Sequence, residues 1–247
     1  MHRQRFGDMV WTLRADAMSP GLKAILENPE HALLHRGEIL KSTAAVTVWR
    51  DGPFVLKRWA PRTVRAVVKD IFRKSYAHRA FSKACRLQSS GISTAVPLAA
   101  GDRRTYGILQ SSYYLMEGIR AASHLAEQRE RGNKAIYEVA RLLGRLHDTG
   151  FTHRDLKPTN LLFDSEGRAY LIDLEGLRTT QEVTDAQAVG DLSKLARRMI
   201  ELATLSPSDA ATFLESYCSF RGRHDRRWWW REIRARMIPY MEEELSR

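Results

Sequence analysis

The first strand-like stretch of the chain runs from Gly37 to Trp59. Three segments there, residues 37–41, 45–50 and 54–59, have strand character. Ser42-Thr43 and Asp51-Gly52-Pro53 supply turn chemistry between them, which predicts a three-stranded antiparallel meander. Residues 1–35 predict one helix, near Pro20–Leu26, and then a polar turn. Pro61 suits the first position of a helix that carries Arg62, Arg65, Lys69 and Arg73 on one face. Val64, Val67, Val68, Ile71 and Phe72 gather on the other. A second helix is expected over Tyr76–Gln88. Strands at residues 95–101 and 113–116 would complete a five-stranded sheet with a helix or two against it.

After Gly118 the period changes. Ile136, Val139, Leu143 and Leu146 recur at three- and four-residue spacing, predicting a helix that stops at Gly150. A polar loop, two short strands (residues 161–163 and 169–172) and mostly helical sequence follow. The expected class is α+β and bilobal. Residues 1–118 form an N-terminal extension and a β-rich lobe with basic helices, and residues 119–247 a mainly helical lobe.

A chain of 247 residues, 43% hydrophobic, can bury a substantial core. No repeat or low-complexity run interrupts it. The formal charge of +11 is unevenly spread: the stretch from Lys57 through Arg86 has ten Lys or Arg residues and one acid, Asp70. That balance points to an anionic partner, whether nucleic acid, acidic lipid or phosphorylated sugar. Cys85 and Cys218 show neither CxxC spacing nor a disulfide framework, which suits a reducing compartment. The charged N-terminus lacks a signal-peptide core, and no apolar stretch is long enough to span a bilayer. A cytoplasmic protein, soluble or peripheral on a membrane, is expected.

Residues 153–160 read HRDLKPTN, and residues 171–173 read LID. Together they resemble the catalytic loop and metal-binding strand of the protein-kinase superfamily. The spacing suits phosphoryl transfer. Asp155 would accept or orient the proton of an attacking hydroxyl, and Lys157 would neutralise the transferring group. Asn160 and Asp173 would bring oxygen ligands to Mg2+ on the ATP phosphates. Such transfer needs positioning and charge stabilisation more than covalent chemistry. The bland alternative is a polar surface loop, but a preceding apolar helix, a following strand pair and a carboxylate at a strand end oppose it. Lys57 closes the third strand, FVLK, much as a lysine does in the kinase VAIK strand. It is expected at the ATP α/β-phosphates, against the alternative of a surface lysine on an edge strand. Met116 and Glu117 join it in the expected ATP site.

The pattern departs from protein kinases in four places. There is no GxGxxG; the corresponding turn begins Lys41, Ser42, Thr43, whose amides and small hydroxyls would cover the phosphates. The usual glutamate partner of the lysine is missing. Asp70 is the only acid between Lys57 and Asp102, and a helical pair with Lys74 explains it equally well. Asp173-Leu174-Glu175 replaces Asp-Phe-Gly. Only residues 174–190 separate Asp173 from Asp191, with no Ala-Pro-Glu motif, so a peptide-docking platform has little chain to form from. A small or lipid-linked acceptor fits better. Asp191 either anchors the catalytic loop from the next helix or is an ordinary acid near a helix N-terminus.

These motifs, with EILK (38–41), VLKRW (55–59), KDIFRKS (69–75), GISTAVPLA (91–99) and IDLEGL (172–177), resemble the bacterial lipopolysaccharide core kinases. The resemblance covers most of the chain. It implies an ATP- and Mg2+-dependent kinase, with Asp155 as base, acting on a heptose or Kdo hydroxyl of the lipopolysaccharide inner core at the cytoplasmic face of the inner membrane. Alternatives are a small Ser/Thr protein kinase and a nucleotide- or lipid-binding pseudokinase scaffold. The basic helix after Pro61 has an interfacial composition. Residues 221–236 hold seven arginines around Trp228, Trp229 and Trp230. Three successive indoles on a helix cannot share one buried face. They mark either a membrane or glycan surface or a solvated face with partial core contact. Nucleic acid has charge in its favour but no accompanying motif, and nothing fixes the oligomeric state.

Overall fold

The computed structural model describes residues 1–14, 18–60, 73–125, 127, 133–201 and 206–245, with side chains through residue 239. The basic helix expected after Pro61, with Asp70, lies outside the described residues. The chain divides into two compact units: Met1–Ser89 with Ala95–Ile119, and Ser90–Thr94 with Arg120–Arg247.

The first unit is built on an antiparallel sheet of seven strands: β1 (His2–Phe6), β2 (Met9–Leu13), β3 (Glu38–Ser42), β4 (Val46–Asp51), β5 (Phe54–Trp59), β6 (Pro97–Thr105) and β7 (Ile108–Glu117). Their order is β1-β2-β6-β7-β5-β4-β3, so the predicted meander lies at one end of the sheet. The five-stranded expectation is corrected to seven by the β1–β2 hairpin, which joins through β2 pairing with β6. The predicted helix near Pro20 is present as α1 (Pro20–Glu27), but a second helix, α2 (Pro29–His35), replaces the expected polar turn. Ser19 and Asn28 cap them, each accepting a backbone N–H three residues on, and a proline fills the first position of both.

Both faces of the sheet are covered. The pairings Trp49↔Leu56, Leu56↔Leu115, Leu115↔Ala99 and Ala99↔Leu13 form one buried row across it. With Leu22, Ile25, Leu26 and Leu33 from α1 and α2, this row makes the main core. The Trp11 indole N–H bonds to Leu26 O at 3.1 Å. Gly101 makes room for that ring, because a Cβ there would come within 2.6 Å of it. The opposite face carries Val48, Lys57, Tyr114 and Ala100 in register. Helix α3 (Tyr76–Ser89) covers this side, with Phe81 edge-on to Tyr114 and Tyr76 stacked on Trp59. The two outer strands are exposed, β1 through His2–Arg5 and β3 throughout.

Among the described residues the second unit holds four α-helices, α4 (Asn133–Asp148), α5 (Asp185–Glu201), α6 (Pro207–Phe220) and α7 (Arg226–Leu245). Ile136, Val139, Leu143 and Leu146 on α4 are all buried, as their spacing predicts. Short strands lie beside the helices. β8 (Ser123–His124), β10 (Leu161–Phe163) and β11 (Ala169–Leu171) form one sheet, and β9 (Phe151–His153) pairs with β12 (Leu177–Thr179). The tryptophan run divides on α7: Trp229 is 2% exposed and packs edge-on to Tyr217, whereas Trp230 is 46% exposed. An apolar cavity of about 310 Å³ lies among the helices, lined by Ile136, Leu195, Met199, Phe213, Trp230 and Met237 among others. Among the described residues, no helix is long and apolar enough to cross a membrane.

Candidate active site

Residues 153–160 are placed by what lies beneath them. Asp191, in the second turn of α5, is 3% exposed, and its Oδ2 accepts the His153 backbone N–H at 2.6 Å. Lys194 Nζ lies 3.0 Å from Oδ1, and His147 Nε2 lies 3.5 Å from Oδ2. His147 Nδ1 in turn pairs with the Tyr217 hydroxyl at 2.6 Å. Burial alone would raise the Asp191 pKa; the nearby His147 ring and the hydrogen bonds from the His153 amide and Lys194 outweigh it and hold the carboxyl below its ordinary value. Of the two readings of Asp191, the structure shows the anchor. His147 and Tyr217 were missed in the sequence. For His147 the available signal was a polar residue on the buried face of an apolar helix.

Above this anchor the loop closes on itself. Asn160 Nδ2 donates to the Asp155 carbonyl at 3.0 Å, and the Asn160 amide bonds to Lys157 O at 3.0 Å. Lys157 Nζ lies 2.9 Å from Asp155 Oδ2. That hydrogen bond outweighs slight desolvation and lowers the pKa of an exposed carboxylate. The next strands are tied in at the same point. The Ile172 amide bonds to Asn160 O at 2.8 Å, and the Leu171 amide to Ser93 O at 2.9 Å. Asp155, Lys157, Asn160 and Asp173 are thus held on one hydrogen-bonded framework.

Asp173 has a left-handed backbone, φ 59° and ψ 66°, and opens a single 3-10 turn, Leu174–Gly176. A left-handed non-glycine residue costs on the order of 1–3 kcal/mol and persists where its surroundings fix it. Part of that fixing comes from His153, whose Nε2 lies 3.1 Å from Asp173 O. The His153 ring is buried, which holds its pKa low and the imidazole neutral, so Nε2–H is the donor. Gly176 passes directly beside this ring; a Cβ there would sit 2.7 Å from His153 Cε1. The glycine missing from Asp173-Leu174-Glu175 therefore reappears one residue later, where a close approach requires it.

The remaining predicted positions lie in the first unit. Lys57 is half-buried on the α3 side of β5, with Nζ 4.9 Å from the Trp59 ring centroid. Lys41 and Ser42 are exposed at the end of β3. Thr43 is engaged in the turn to β4: its amide and hydroxyl both donate to Val46 O, and its hydroxyl accepts the Val46 N–H at 3.0 Å. Met116 pairs with Val55, and the Glu117 amide bonds to Val96 O at 2.9 Å where β7 ends.

A sheet unit with a lysine on the fifth strand, and a helical unit with an aspartate-anchored HRDLKPTN loop, define a protein-kinase-like fold. Among solved structures, WaaP in complex with acyl carrier protein matches over 96% of this chain and 98% of that one, with TM-score 0.63 and 20% identity. Residues 40–217 match the lipopolysaccharide kinase (Kdo/WaaP) family, and the chain belongs to that family. The 3-deoxy-D-manno-octulosonic acid kinase of Xylella fastidiosa is 34% identical over 91 residues, 36% of each chain. The Stenotrophomonas maltophilia kinase of the same name is 27% identical over 131 residues, 48% of this chain and 51% of that one. The chain thus spans about a third to a half of the length of these curated relatives.

Proposed function

We propose that the protein transfers the γ-phosphoryl group of ATP to a sugar hydroxyl, on heptose or Kdo, of the lipopolysaccharide inner core at the cytoplasmic face of the inner membrane. The observation that carries this reading is the Asp155 carboxylate, exposed and ionised beside Lys157, with its backbone clasped by Asn160. In the proposed step the acceptor oxygen bonds to the γ-phosphorus as the β,γ-bridging P–O bond breaks. The hydroxyl proton passes to Asp155, and ADP leaves with the electron pair. Lys157 offsets charge on the phosphoryl oxygens.

Asn160 and Asp173 fit a cation shared with phosphates. The Asn160 amide nitrogen is used by Asp155 O, which turns its Oδ1 away from that contact. One amide and one carboxylate form the sparse protein donor set Mg2+ takes when phosphates and water complete its shell. When bound there, Mg2+ would neutralise the phosphate charge. Lys57 would hold the α/β-phosphates, with Lys41, Ser42 and Thr43 over them and Met116 and Glu117 completing the nucleotide site. On this reading residues 1–118 bind nucleotide and residues 119–247 carry the chemistry.

The acceptor class is supported by the family and by the short stretch, residues 174–184, between Asp173 and α5. Peripheral membrane attachment draws on the arginines of α7 around the exposed Trp230. The apolar cavity suits an acyl chain, which a glycolipid acceptor or an acyl carrier protein, the partner named for the solved WaaP, would present.

Incubating purified protein with γ-labelled ATP and a core-bearing glycolipid tests the proposal, with label expected in the glycolipid. Label confined to protein substrates would return the Ser/Thr kinase reading. Full function of Asp155→Ala in cells would return the scaffold.

A further inference from the structure

Lys57 and Trp59 lie two residues apart on β5, so alternation along the strand turns both toward α3. The Lys57 Nζ sits 4.9 Å from the centroid of the Trp59 ring, within the range at which an ammonium is drawn to an aromatic face. Of the aromatic side chains, indole attracts a cation most strongly.

The ring itself has little freedom to move. Trp59 is 6% exposed, and its strand is paired on both sides, with Val46 of β4 and Ser112 of β7 opposite it. Its indole stacks on Tyr76, the first residue of α3, at 6.2 Å between centroids and 18° between planes. The Arg79 guanidinium lies over the Tyr76 ring at 4.3 Å. Two stacked rings, one from the sheet and one from the helix, thus each carry a cation.

A lysine on a flexible four-carbon stem loses much rotamer freedom when it grips a phosphate. A fixed ring beside the ammonium removes part of that loss before the nucleotide arrives. A π face also attracts the charge without accepting an N–H, so it does not compete with phosphate oxygens for the donors.

We propose that Trp59 is a positioning residue for the nucleotide: its indole face, braced by Tyr76, pre-sets the Lys57 ammonium for the phosphates of ATP. This rests on the assignment of Lys57 to the α/β-phosphates above and adds the group that holds the lysine there. Trp59 acts on ATP only through Lys57.

Calorimetric titration of the full chain with ATP and Mg2+, and separately with adenosine, tests this in a double-mutant cycle of Trp59→Leu and Lys57→Ala. Trp59→Leu should weaken ATP binding roughly three- to thirty-fold, the range of a cation–π contact, and leave adenosine binding unchanged. Trp59→Phe keeps a weaker π face and most of the bulk. It should lose less, and it carries the test if the leucine variant does not fold. In the Lys57→Ala background neither Trp59 substitution should weaken ATP binding further. In steady-state assays the KM for ATP should rise in the Trp59 variants while the KM for the acceptor stays. Unchanged ATP affinity in the Trp59 variants, the same loss in both backgrounds, or an equal loss for adenosine would assign Trp59 to sheet packing alone and overturn the positioning role. Lys57→Ala binding ATP as tightly as the wild-type protein sinks the nucleotide assignment of Lys57, and the positioning role with it.

Discussion

The His153 backbone N–H donates to Asp191 Oδ2 at 2.6 Å, and that contact ties the entry of the HRDLKPTN loop to a buried turn of α5. Removing one member of a buried, hydrogen-bonded charged set leaves the others unsatisfied, at about 3–5 kcal/mol. Asp191→Ala should lose stability on that scale in urea unfolding and lose turnover with it. Asp191→Asn, which keeps the acceptor oxygen for the His153 amide, should lose less of both.

Acid should destabilise the second unit in two stages. His147 and His153 are both buried, which holds their folded-state pKa below the ordinary value of 6.5. The unfolded chain therefore binds protons first as pH falls. Stability is full above about pH 6.5 and declines below it until the folded-state values are passed. Asp191, whose pKa is depressed, adds a second loss as its carboxyl protonates at and below the ordinary 3.8. Thermal melts between about pH 7.5 and 5 should show a falling Tm, less steeply in His147→Gln. A flat profile would contradict the neutral assignment of both rings.

On the proposed mechanism, Asp155→Asn removes the proton acceptor and keeps the shape. Turnover should fall roughly 10²–10⁴-fold, the usual worth of a general base. Equilibrium binding of labelled ATP should be largely retained, because the lysine and turn assigned to the phosphates lie on other strands.

Two glycines separate a fold effect from a site effect. Gly101→Ala would press a methyl group into the Trp11 ring, and overpacking of this kind costs about 1–3 kcal/mol. Gly176→Ala would press into His153 and displace the segment that carries Asp173. Both should unfold at lower urea. At temperatures where both stay folded, only Gly176→Ala should lose turnover.

What the sequence made legible follows from the range of the interactions involved. The α4 stripe, the β3–β5 meander and the HRDLKPTN loop are local patterns, and the structure contains each of them. The β1–β2 hairpin was not legible from β1, whose residues 2–5 are polar and exposed because it lies at an edge. The alternating, buried Met9, Trp11 and Leu13 of β2 were the available signal. His147 and Tyr217 meet across a separation of 70 residues, which no local period encodes. The shift of the glycine to Gly176 was written in the sequence, but its meaning depends on where the His153 ring sits.

The two rims of the sheet are guarded unequally. On β1 the open backbone is flanked by Arg3 and Arg5, charges that discourage another strand from adding on. On β3 it is flanked by Ile39 and Leu40, both at least half exposed, which invite one. Self-association in concentrated solution should therefore begin along β3, and a lysine in place of Ile39 should raise solubility while leaving the buried core untouched.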